Sequence, residues 1–158
     1  MITKVDGDER MKWPSALRAL NYKNFRLFFG GQMISLTGTW IQTVAQSWLV
    51  YRLTGSAALL GLVGFSGQIP VFLLAPIGGA LADRYHRHRI ILTTQAASML
   101  LALLLAGLTF TGRIQVWQVY LLSALLGGVN AFDIPARQAF IVDMVGKSDL
   151  MNAIALNS

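Results

Sequence analysis

Four apolar stretches, at about residues 25–51, 57–81, 90–111 and 115–132, alternate with short polar segments along the chain. About 20 apolar residues in helical form cross a hydrocarbon layer roughly 30 Å thick, and each stretch approaches or exceeds that length. With no water to bond to, backbone in lipid must satisfy its own N–H and C=O groups, which favours helices. The pattern predicts an all-α, polytopic membrane helix bundle with spans at about 25–51, 57–81, 90–111 and 115–140. Residues 1–24 read as a polar tail with a short interfacial segment. That segment opens at Trp13-Pro14-Ser15, where Ser15 caps it and Trp13, Leu17 and Leu20 share one face. Residues 25–158 form the transmembrane part. Ser148 reads as a cap, and Asn152 to Ser158 as the opening of a fifth helix, so the chain is expected to be a piece of a larger bundle.

Polar positions inside the spans are ordered. Gln32, Ser35, Thr39, Gln42 and Gln46 follow steps of three and four, one stripe down a helix. Amide groups facing lipid would lack partners, at about a kcal/mol or more each, so the stripe faces other helices or water. Gln32 and Ser35 read as packing positions. Thr39, Gln42 and Gln46 read either as interhelical hydrogen-bonding groups or as the wall of a cavity. In the second span Gly61, Gly64 and Gly67 offer a close approach to a neighbouring helix, while Pro70 and Pro76 remove backbone donors and bend the helix. Gln68 is that span's strongly polar side chain. The third span is mostly Leu, Ala and Ile and reads as the most lipid-exposed. The fourth carries Ser123 and Asn130, then Asp133 and Arg137, which at i, i+4 can pair on one face.

Composition agrees with the pattern. The chain of 158 residues is 54% hydrophobic and 13% charged, about half the charge usual in a soluble domain. It has no cysteine, which excludes disulfides and thiolate metal sites. The net charge of +6 does not imply nucleic acid, because the basic residues flank the apolar spans rather than forming a basic domain. Placing the N-terminus, the 82–90 loop and the 133–151 segment on one side collects Lys4, Arg10, Lys12, Arg18, Lys23, Arg26, Arg84, Arg87, Arg89, Arg137 and Lys147. Only Arg52 and Arg113 fall on the other, a split of 11 against 2 of the 13 Lys and Arg. The crowded side is cytoplasmic by the positive-inside rule. His86 and His88 stand among three arginines, whose charge opposes a metal ion, and no cofactor fingerprint or catalytic set appears.

The segment Gly79-Ala80-Leu81-Ala82-Asp83-Arg84-Tyr85-His86-Arg87-His88 resembles the motif G-x-x-x-D-R-x-G-R-R/K of the major facilitator superfamily of transporters. Gly79, Asp83, Arg84 and Arg87 match; His86 stands at the motif's second glycine and His88 at its last basic position. Asn24 to Phe28 leading into Gly30-Gly31-Gln32, Trp40 to Tyr51, Phe132 to Phe140 and Asn152 to Ser158 are similar to the enterobactin-exporter-like branch, bacterial drug and siderophore efflux proteins. The resemblance covers nearly everything from about Ala16. A complete member has twelve spans in two halves, so the chain would supply the first four spans and the start of the fifth of the N-terminal half.

The resemblance implies alternating access driven by an ion gradient, in the bacterial inner membrane, with the N-terminus cytoplasmic. The partners it implies are the lipid bilayer, a small-molecule substrate and the missing C-terminal helices; no cofactor and no enzymatic step is implied. First and fourth spans line the cavity in this superfamily, which makes Thr39, Gln42, Gln46 and Asn130 candidate lining residues; Gln68, near mid-depth on the second span, is a further candidate. Gly79, Asp83, Arg84 and Arg87 would form a cytoplasmic gate, with Asp133 as a partner and Arg137 beside it. A four-span membrane scaffold and a small dimerising transporter are the rival readings. No Asp, Glu, Lys or Arg lies at mid-depth in a span, so the residues do not identify a coupling ion.

Overall fold

The computed structural model describes residues 23–145. The tail, the interfacial segment at Trp13, the Ser148 cap and the fifth helix from Asn152 lie outside the described residues. Four helices follow in order: α1 Lys23–Thr54, α2 Ala57–Arg84, α3 Arg87–Phe110 and α4 Val116–Val145. Three segments are long and apolar enough to cross a membrane, Ala57–Arg84, Arg87–Phe110 and Val116–Met144. At 32 residues and 1.5 Å per residue, α1 is about 48 Å long, but its polar stripe keeps it below the hydropathy of the other three.

The turns follow from local chemistry. Gly55 (φ 64°) and Gly112 (φ 66°) take the left-handed backbone that ends α1 and the 110–112 turn. Ser56 caps α2, its Oγ accepting from the Leu59 N–H at 3.4 Å. The α2–α3 connection is shorter than the expected 82–90 loop. Asp83 and Arg84 lie in the last turn of α2, Arg87 opens α3, and only Tyr85 and His86 lie between the helices. Both linking residues have negative φ, −113° and −64°. The reversal therefore needs no glycine at position 86, and His86 is compatible with it.

The chain divides into two compact units, residues 40–137 and the remainder. In the larger unit Leu49, Val50, Val63, Leu105 and Val119 form a buried cluster drawn from all four helices, with Leu59, Leu60, Ile114, Tyr120 and Leu122 against it. The other unit, within the described residues, holds an aromatic group. Phe25 is fully buried and stacks on Phe29 at 6.0 Å, and Phe28 meets Phe140 edge-on at 5.6 Å.

Close backbone approach joins α2 to α4. A side chain on Gly127 would overlap the Gly67 carbonyl oxygen, and one on Gly78 would overlap that of Ala131. Of the three glycines expected at this contact only Gly67 reaches it; Gly61 and Gly64 face open space among the described residues. Three residues turn a helix by 300°, so the three positions drift across 120° of its surface. Gly67 and Gly78 are eleven residues apart, nearly three whole turns, and share a face. The third helix is not the most exposed: less of α2's apolar span is buried than of α3's, and α4 is the most buried.

Candidate functional site

The lining residues separate into contacts and open positions. Gln46 is buried, and its Nε2 donates to Ser123 Oγ on α4; that hydroxyl donates in turn to the Val119 carbonyl at 2.8 Å. The amide thus ends a hydrogen-bonded chain fixed to the α4 backbone. Gln46 lies eight residues before the end of α1, and Ser123 seven after the start of α4, about 12 Å and 10 Å of helix. Matching depth on two helices is the signal by which the sequence could have suggested this pair. Gln42 and Asn130 are half-buried and Gln68 is exposed. Thr39 is exposed, and its hydroxyl donates to the Ser35 carbonyl one turn back at 3.0 Å. The opposite face of α1 carries exposed Ile34, Ile41, Val44 and Trp48, the surface a bilayer would cover.

The motif residues divide in the same way. Gly79 is half-buried, while Asp83 and Arg84 are exposed. Asp83 makes no ion pair or hydrogen bond among the described residues. Arg87 reaches back across the turn, its Nε donating to the Ala82 carbonyl at 3.4 Å. A helix leaves its last carbonyls without intrahelical partners and its C-terminus partially negative. Arg87 therefore ties the start of α3 to the end of α2 through a backbone group, not through Asp83.

The buried charges lie further along. Asp133 on α4 is paired with Arg137 one turn on; Arg137 Nε donates to Oδ2 at 2.9 Å and Nη2 reaches the same oxygen. The two side chains are 11% and 14% exposed. The other carboxylate oxygen, Oδ1, accepts from the Thr94 hydroxyl on α3 at 2.7 Å, and Thr94 is itself buried. Both oxygens are thus engaged, one by a cation and one by a neutral donor, the condition under which a charge is tolerated away from water. Thr94 escapes a sequence reading. Threonines in spans usually bond to their own backbone, and Thr94 also lies 2.9 Å from the Ile90 and Ile91 carbonyls.

Comparison with known proteins identifies the family. The model of the transmembrane secretion effector family, a branch of the major facilitator superfamily, matches residues 14–158. The chain belongs to that family. It is 29% identical over 134 residues to the staphyloferrin A transporter of Staphylococcus aureus, covering 84% of this chain and 34% of that protein. The macrolide efflux protein A of Streptococcus pyogenes is 27% identical over 133 residues, 82% of this chain and 33% of its own. The MFS-type transporter YfiS of Bacillus subtilis is 24% identical over 139 residues, 87% and 32%. The chain spans about a third of the length of these relatives. No solved structure gives a significant match. The match includes the motif at Gly79–Arg87 and the whole of α1.

Proposed function

We propose that the chain supplies the first four spans of the N-terminal half of a bacterial inner-membrane exporter that works by alternating access, without covalent chemistry. The family match over residues 14–158 carries this reading. The substrate class proposed is a drug-like or siderophore-like small molecule, in keeping with the macrolide and staphyloferrin in two relatives' names. On this reading α1 is a span, with its apolar face to lipid and its polar stripe inward. Gln42, Gln68 and Asn130 then line the path, while Gln46 is held by Ser123 as a fixed part of the wall. Exposed Asp83 and Arg84, on the last turn of α2, face helices contributed by the rest of the transporter and act with them as the cytoplasmic gate. The Asp133–Arg137 pair is the gate's buried support within this segment.

Everted membrane vesicles test the reading. Vesicles bearing the chain continued through its remaining helices should accumulate a macrolide, a siderophore or a fluorescent cationic dye, and an ionophore should stop the uptake. The 158-residue chain alone should give none, since the spans of the second half that would enclose the site are not part of it. Gradient-driven uptake by the chain alone would replace this proposal with the small dimerising transporter. No uptake from either form, with stable capture of a partner protein, would favour the scaffold.

A further inference from the structure

We infer that Thr94 is a positioning residue for the Asp133–Arg137 pair, setting the carboxylate geometry that Arg137 docks against. The inference rests on the transport reading for its functional consequence, though not for its chemistry.

A carboxylate held only by a side chain one turn away on its own helix can rotate about χ2 and carry its partner with it. Here that rotation is blocked from outside the helix. The Thr94 hydroxyl, on α3, donates to Oδ1 at 2.7 Å while Arg137 takes Oδ2. Each oxygen therefore has a fixed identity, and the plane of the carboxylate is set by two helices. The surroundings admit little alternative: Asp133 and Thr94 are buried, and so are Ala131 and Ala136 on either side of Asp133. Through Arg87 and the Ala82 carbonyl, the start of α3 is tied to the end of α2. Thr94 lies two turns further along α3. A displacement of the motif turn is thereby transmitted along one rigid helix to the buried ion pair, with the Thr94 hydroxyl as the link.

Two variants separate this role from simple packing. Thr94→Val keeps the shape and removes the donor, and Thr94→Ser keeps the donor and removes a methyl group. Nuclear magnetic resonance of the 158-residue chain in lipid nanodiscs, labelled at Asp carboxyl carbons and Arg Nε, reads the geometry directly. The Asp133 and Arg137 signals are assigned by their loss in Asp133→Asn and Arg137→Gln. The expected result is a shifted Asp133 carboxyl resonance and faster solvent exchange of the Arg137 Nε proton, by about tenfold, in Thr94→Val, with both restored in Thr94→Ser. An unchanged Arg137 signal in Thr94→Val, or no restoration by serine, overturns the inference.

The functional arm uses the complete transporter. Thr94→Val should lower the maximal export rate by about tenfold and leave the half-saturating substrate concentration within about twofold. Thr94→Ser should export normally. Export unaffected by Thr94→Val would confine the hydroxyl to a structural role and overturn the positioning claim. An inactive parent would instead count against the transport reading, and the resonance arm would still decide the positioning.

Discussion

At the scale of single residues, two carboxylates fifty positions apart behave differently: Asp83 belongs to the recognisable motif, while Asp133 is the buried and paired one. Removing one member of a buried pair leaves the other charge without compensation, which typically costs about 3–5 kcal/mol. Asp133→Asn keeps the shape and an acceptor for Thr94, so the expected loss is smaller, about 2 kcal/mol. Asp83→Asn should stay within about 0.5 kcal/mol, the range for an exposed position. Thermal unfolding of the chain in detergent compares the two directly. The double variant Asp133→Leu with Arg137→Met should recover much of the loss, because replacing a buried pair by apolar residues is often neutral. Equal destabilisation by Asp83→Asn and Asp133→Asn would show that the buried pair has no special weight. Export in the complete transporter should order the residues otherwise, with Asp83→Asn severe if its partner comes from the second half.

At the scale of elements, the α2–α4 contact is set by backbone approach at Gly67, Gly78, Gly127 and Ala131. Gly127→Ala and Gly78→Ala place a carbon against a carbonyl oxygen that cannot rotate away, so the helices must separate, at about 1–3 kcal/mol. Gly61→Ala and Gly64→Ala meet nothing within 4 Å and should stabilise α2 by about 0.5–1 kcal/mol through helix propensity. Opposite signs in unfolding of the chain would support the contact, and uniform loss at all four positions would contradict it. This contact also marks the limit of what the sequence could reveal. Helix positions were legible because apolar length, Ser56 and the turn glycines Gly55 and Gly112 act locally. The need of Gln46 for a partner was legible because a polar amide among apolar side chains demands one, here Ser123. Which glycine meets which helix depends on crossing geometry, so the three-residue spacing at Gly61, Gly64 and Gly67 misled where the eleven-residue relation of Gly67 to Gly78 would have served. Thr94 was hidden for a related reason: its partner lies 39 residues on and nothing local announces it.

At the scale of the whole molecule, the proposed orientation rests on the distribution of Lys and Arg and not on any single contact. On the proposed reading, the split of 11 against 2 puts the α2–α3 turn in the cytoplasm and the 110–115 turn outside. The absence of native cysteine allows single thiols to report this. Thr111→Cys and Gln115→Cys, both at exposed positions, should react with an impermeant maleimide on intact cells. His86→Cys, also exposed, should react only after the membrane is permeabilised. Ser56 is a poorer reporter, because its hydroxyl caps α2 and its loss would cost about 1 kcal/mol. The same assay separates the two duties of the cationic turn. Replacing Arg84, Arg87 and Arg89 together by glutamine lowers the cytoplasmic count from 11 to 8, still far above 2. Orientation should therefore survive while export by the complete transporter falls sharply, since the proposed gate loses its cations and α2 loses the Arg87 contact to Ala82. If the triple variant exposed position 86 to the outside, the turn would be holding the topology itself, and its arginines would no longer argue for a gate.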